Sequence, residues 1–94
     1  MFEIRVGDDR IIHLSGRLDA AQVEKAEAVL GQLGDSATAD LSGLDYISSA
    51  GISVLLRTFK RLHDGGASLK LTRVPPRILT VFQFAGLDKI FVIE

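Results

Sequence analysis

The chain has 94 residues, which suits one domain (1–94) and is too short for two. Its 11 basic residues stand against 12 acidic ones, a formal net charge of -1, and that balance argues against a nucleic-acid binder, whose surface carries a basic surplus. There is no cysteine for disulfide or thiolate chemistry, and no apolar run approaches the ~18 residues of a membrane span, so no membrane insertion is expected.

Met1-Phe2-Glu3-Ile4-Arg5 alternates and lacks the apolar block of a signal peptide, which makes a cytoplasmic location the expectation. Phe2, Ile4 and Val6 against Glu3 and Arg5 predict a strand with one buried face. Gly7-Asp8-Asp9 has turn chemistry, and residues 10–15 read as a second strand completing a hairpin. Asp19 is placed to cap a first helix, along which Val23, Ala26, Leu30 and Leu33 share a face. Gly31 or Gly34 can end that helix.

Residues 37–41 form a short extended segment with few strong strand formers. Ser48-Ser49-Ala50-Gly51 opens a second helix with Ile52, Leu55, Leu56, Phe59 and Leu62 as the expected buried stripe, and Gly65-Gly66 stops it. Residues 68–72 alternate as a strand. Pro75-Pro76 starts a third helix whose expected buried face is Ile78, Val81, Phe82 and Ala85, with Gly86 as its stop. Residues 90–93 form a last apolar strand. The order is β-β-α-β-α-β-α-β, an α/β mixed sheet of four to five strands with three main helices and an antiparallel edge.

Catalytic readings find little support. Ser49 with His13 or His63 and Asp40 or Asp45 nominally supplies a nucleophile, a base and an orienter. The chain lacks the Gly-x-Ser-x-Gly elbow, because Ile47 stands where the first glycine belongs. Two histidines far apart in sequence give no metal-ligand spacing, and Gly65-Gly66 follows a helix where a phosphate loop precedes one. The expectation is a non-enzyme with no cofactor and no metal.

The informative stretch is Asp40-Leu41-Ser42-Gly43-Leu44-Asp45-Tyr46-Ile47-Ser48-Ser49-Ala50-Gly51. Serines before an amphipathic helix are, at their plainest, N-caps. The same place suits an anion, since a helix N-terminus carries unpaired donors and a partial positive charge. A phosphoryl group there would add about -1.5 to -2 charge and could abolish docking of a partner while leaving the fold intact.

These residues resemble the STAS domains, specifically the stand-alone anti-sigma factor antagonists. Gly16-Arg17-Leu18-Asp19 is similar to the family's entry to its first helix. Asp40-Leu41-Ser42 followed by Leu44-Asp45-Tyr46-Ile47-Ser48-Ser49-Ala50-Gly51 is similar to its central strand, loop and phosphorylation motif. Gly86-Leu87-Asp88-Lys89-Ile90-Phe91 resembles the segment before the final strand. The resemblance implies a STAS-like fold and partner switching: the unmodified antagonist binds an anti-sigma factor that is also a serine kinase, phosphorylation releases it, and a serine phosphatase restores it.

Two positions before the glycine, the implied acceptor is Ser49. Many members carry Asp just before the acceptor; this chain has Ser48, a second hydroxyl. Asp19, Asp45, Ser48, Ala50, Gly51 and Ser53 are the expected partner-binding residues, with Arg17 and Arg57 flanking them. The alternative within the fold is a STAS accessory subunit of an ABC-type lipid transporter, contacting the ATPase.

Overall fold

The computed structural model describes all residues, 1–94. Alternation at the N-terminus gives β1 (Phe2–Val6), which turns back through Gly7 into β2 (Ile12–Leu18). A 3-10 turn at Ala20–Gln22 leads into α1 (Val23–Leu30), followed by β3 (Ala37–Ile47) and α2 (Ser49–Asp64). Then come β4 (Leu69–Thr72), α3 (Pro76–Phe84), a second 3-10 turn at Leu87–Lys89 and β5 (Val92–Ile93). The expected element order and the mixed α/β class are both present.

One five-stranded sheet runs in the order β1-β2-β3-β4-β5, antiparallel between β1 and β2 and parallel thereafter. Each parallel step advances one strand through a helix, and right-handed crossovers in one direction place those helices on one face. Side-chain contacts agree. Phe91 joins α2 to α3 by lying 5.8 Å from Phe59 and 5.4 Å from Phe82, ring centre to ring centre. The core between sheet and helices is a single cluster of 20 buried apolar residues that includes Leu14, Leu18, Leu41, Leu55, Leu71 and Phe82. The other face carries His13, Asp40, Lys70 and Thr72, which alternate with those inward positions along their strands.

Several boundaries differ from the sequence expectation for identifiable reasons. β2 starts two residues late because Arg10 belongs to the turn, with φ 65° and its amide on Gly7 O at 2.9 Å. It continues to Leu18 because Gly16 pairs with both Phe2 and Leu44. Gly16 has φ +85°, and a Cβ there would stand 1.9 Å from Met1 O, so only glycine lets the N-terminus approach.

β3 is longer than the expected 37–41 and runs to Ile47. Its pairing with β2 slips one residue twice, between His13 and Ser15 and between Gly16 and Arg17. Each bulge inserts one extra residue and resets the alternation. Leu41, Leu44 and Ile47 therefore all face the core at a spacing of three, a pattern that does not read as a strand. β5 is shorter than the expected 90–93, since Ile90 caps the preceding 3-10 turn.

The buried faces also shift. On α2 the row against the sheet is Gly51, Val54, Leu55, Thr58 and Leu62, while Ile52, Leu56 and Phe59 are half-buried at its flank. Thr58 is tolerated in that row because its hydroxyl donates to Val54 O at 2.9 Å. On α3 only Ile78 and Phe82 are buried; Val81 and Ala85 are exposed, Ala85 because it already caps the helix end. Val6 shares a face with Phe2 and Ile4 yet is 56% exposed. Helix ends follow the expected chemistry: Gly31 caps α1, Gly65 and Gly66 end α2, and Pro76 opens α3.

Candidate functional site

The C-terminal ends of β2 and β3 and the start of α2 meet at one end of the strands. β2 and β3 are parallel neighbours with Leu18 beside Ile47, so the residues that follow each strand emerge together. Ser48 N then donates to Leu18 O at 2.9 Å and fixes where α2 begins.

Ser48 is the N-cap of α2, in extended backbone (φ -89°, ψ 171°), and its Oγ accepts from Gly51 N at 3.2 Å. Ser49 is the first helical residue and is exposed. Its Oγ bonds to no protein group, whereas its carbonyl accepts from Ser53 Oγ at 3.0 Å. The adjacent hydroxyls therefore differ: one closes the helix end, and the other faces solvent.

Ser53 lies one turn beyond Ser49 on the same exposed face. Ala50 is half-buried. Gly51, expected among the partner contacts, is buried. A Cβ on it would come within 2.7 Å of Leu18 O, 2.8 Å of Leu18 Cγ and 2.9 Å of Ile47 Cγ1. The absence of a side chain lets α2 rest on the ends of β2 and β3. Asp45 is exposed, and its carbonyl accepts from Arg77 Nη1 at 3.5 Å. Asp19 is half-buried, with Oδ1 accepting from Ala21 N at 3.2 Å, so its carboxylate caps the 3-10 turn before α1.

Arg17 and Tyr46 form a feature that the sequence reading did not weigh. The Arg17 guanidinium carbon sits 4.2 Å from the centre of the Tyr46 ring, a cation–π distance, and both residues are exposed. Their pairing across β2 and β3 is legible only once the bulges are known. Arg57 is drawn away from the site by a 2.9 Å ion pair with Glu27.

Neither histidine reaches Ser49. His63 lies at the far end of α2, about 21 Å along the helix axis. It stacks on Phe59. His13 sits on the open sheet face, 3.4 Å from Asp9 and 3.8 Å from Asp40. Burial of Asp40 raises its carboxyl pKa, but the Ser42 amide and hydroxyl, Arg73 and His13 together outweigh that and hold it below the ordinary carboxylate value. The largest surface depression, about 380 Å³, is lined by Asp9, Arg10, Ser36, Thr38 and Lys70 at the opposite end of the strands.

A family model described as "Mlab, STAS domain" matches residues 3–94. The chain belongs to the STAS domain family. BtrV of Bordetella bronchiseptica, which bears the name of an anti-sigma factor antagonist, is 37% identical over 82 residues, covering 83% of this chain and 71% of the relative. Among solved structures, an anti-sigma factor antagonist from Mycobacterium paratuberculosis aligns with a TM-score of 0.81 at 20% identity, covering 99% of this chain and 83% of that one. The Bacillus cell-fate determinant SpoIIAA in its phosphorylated form aligns with a TM-score of 0.71 at 20% identity, covering 100% and 91%. At such identities these structures establish the STAS fold. No helix of this STAS domain is long and apolar enough to cross a membrane.

Proposed function

We propose that this chain is an anti-sigma factor antagonist of the partner-switching kind, a cytoplasmic binding protein without catalytic activity, cofactor or nucleic-acid partner. Unmodified, it docks on an anti-sigma factor that is also a serine kinase, through the surface around the start of α2. Phosphorylation of Ser49 ends the complex, and a serine phosphatase resets it. The observation that carries this reading is the exposed, unengaged Ser49 Oγ beside a neighbour, Ser48, whose own hydroxyl is occupied in capping. The name of the Bordetella relative supports the regulatory class.

The fold is suited to the modification. Phosphate on the first residue of α2 would sit against the positive end of the helix dipole, an arrangement that favours the anion by about 0.3–1 kcal/mol. A partner that had buried Ser49 would instead face a dianion that must be desolvated and that repels any acidic group the partner brings to this surface. The modification thus opposes binding without opposing folding.

The test is incubation with the cognate anti-sigma kinase and ATP, followed by mass-spectrometric mapping. Phosphate on Ser49 and loss of the complex are expected; phosphate confined to Ser48, or a complex that survives modification, refutes the switch. The same fold also suits the accessory subunit of an ABC-type lipid transporter, a second reading that a different partner would reveal. Co-purification with a transport ATPase in place of a kinase would favour that assignment.

A further inference from the structure

β1 is an outer strand, bonded to β2 on one side and to no strand on the other. Met1 O accepts from Arg17 N, and Gly7 N donates to Ile11 O, both at 2.9 Å, so the odd-numbered positions of this segment face β2. Antiparallel pairs alternate between bonded and non-bonded positions, which turns the amides and carbonyls of Phe2, Ile4 and Val6 outward. Lys25 Nζ donates to Phe2 O at 2.6 Å, and a carbonyl oxygen with one donor keeps a second lone pair. The opposite outer strand, β5, has only two residues and presents little edge. Val6 is the one inward-facing position of β1 that nothing covers.

We infer that β1 pairs antiparallel with β1 of a second copy of this chain, about a two-fold axis at Ile4, so that two five-stranded sheets become one. The outward amides require even positions to face even positions. With Ile4 opposite the partner's Ile4, Glu3 lies opposite the partner's Arg5, Arg5 opposite the partner's Glu3, and Val6 opposite the partner's Phe2. The neighbouring allowed registers fail on charge. Slipping by two residues one way sets Glu3 against the partner's Glu3, and the other way sets Arg5 against the partner's Arg5. Like charges directly opposite on a sheet face destabilise, and opposite charges stabilise. The strand is therefore self-complementary in one register, as a two-fold interface requires. The same pairing covers Val6.

Sedimentation equilibrium on the full chain tests this. A monomer–dimer equilibrium is expected, with Arg5→Glu or Glu3→Arg alone weakening self-association roughly tenfold. The double variant, which exchanges the two charges, restores it, and an equimolar mixture of the single variants associates more tightly than either does alone.

A second measurement uses the cysteine-free background. Glu3 and the partner's Arg5 would occupy a non-hydrogen-bonded pair, whose Cα separation of about 4.5 Å falls within disulfide range. Glu3→Cys mixed with Arg5→Cys should crosslink under mild oxidation, and either variant alone should not. A wild type that stays monomeric, a dimer indifferent to charge reversal, or crosslinking by Glu3→Cys alone overturns the inference.

Discussion

The Gly51 amide donates to Ser48 Oγ at 3.2 Å, and this bond separates the roles of two neighbouring serines. Removing the cap by Ser48→Ala should lower stability by about 1 kcal/mol. In a chain of this size that is a fall in Tm of roughly 4–8 °C. Ser49→Ala removes an exposed hydroxyl that makes no hydrogen bond within the protein, so its stability should stay within about 0.5 kcal/mol of wild type while phosphorylation is lost. Thermal melts paired with a phosphorylation assay read both effects. The reverse pattern would exchange the roles of cap and acceptor.

Gly51 carries a prediction of the opposite kind. Alanine is a better helix former than glycine, so on propensity alone Gly51→Ala should stabilise α2 by up to about 1 kcal/mol. The added Cβ, however, would meet Leu18 O at 2.7 Å, a backbone atom that is held in the sheet. Overpacking of this sort costs about 1–3 kcal/mol, so net destabilisation is expected, together with a displaced Ser49 and weaker partner binding. A chemical-denaturation midpoint equal to or above that of wild type would show that the start of α2 has room to move.

The sequence made the element order, the caps and the position of Ser49 readable because each depends on local chemistry: alternation, glycine stops, and serines before an amphipathic run. What it hid depends on pairing. The Leu41, Leu44 and Ile47 spacing of three looks like neither strand nor helix until the two bulges of β3 are seen against β2. Arg17 and Tyr46, far apart in the chain, become neighbours only through those same slips. Gly51 reads as a small residue at a docking surface; its burial against Leu18 and Ile47 is a tertiary fact with no local signature. Val6 has the right period for burial but no element above it.

Acid should weaken the open face of the sheet. Asp40 is buried and titrates below its ordinary value of 3.8, chiefly because the Ser42 groups, Arg73 and His13 outweigh the effect of burial. A carboxyl whose folded pKa is depressed contributes stability above its unfolded pKa and loses it as pH falls through the folded value. Asp9, held low first by the Ile11 amide and then by His13, acts in the same direction. Stability should therefore decline as pH drops below about 4. Asp40→Asn should be less stable at neutral pH and show a flatter decline. Denaturation midpoints measured between neutral pH and pH 3 test this, and an unchanged acid slope in Asp40→Asn would remove Asp40 as its source.

The Arg17–Tyr46 pair offers the sharpest separation between binding and folding. Both side chains are exposed, so the 4.2 Å stacking should add no more than about 0.5–1 kcal/mol to the fold. A partner that covers the start of α2 would desolvate the pair, and an arginine on an aromatic platform is the sort of residue that dominates an interface. Arg17→Ala should therefore weaken the complex with the anti-sigma factor by roughly tenfold or more while shifting Tm only slightly. Arg17→Lys, which keeps the charge but loses the planar stacking group, should fall between the two. Calorimetric titration of both variants against the partner, run beside thermal melts, decides the matter: if affinity survives Arg17→Ala, the docking surface does not reach across β2 and β3.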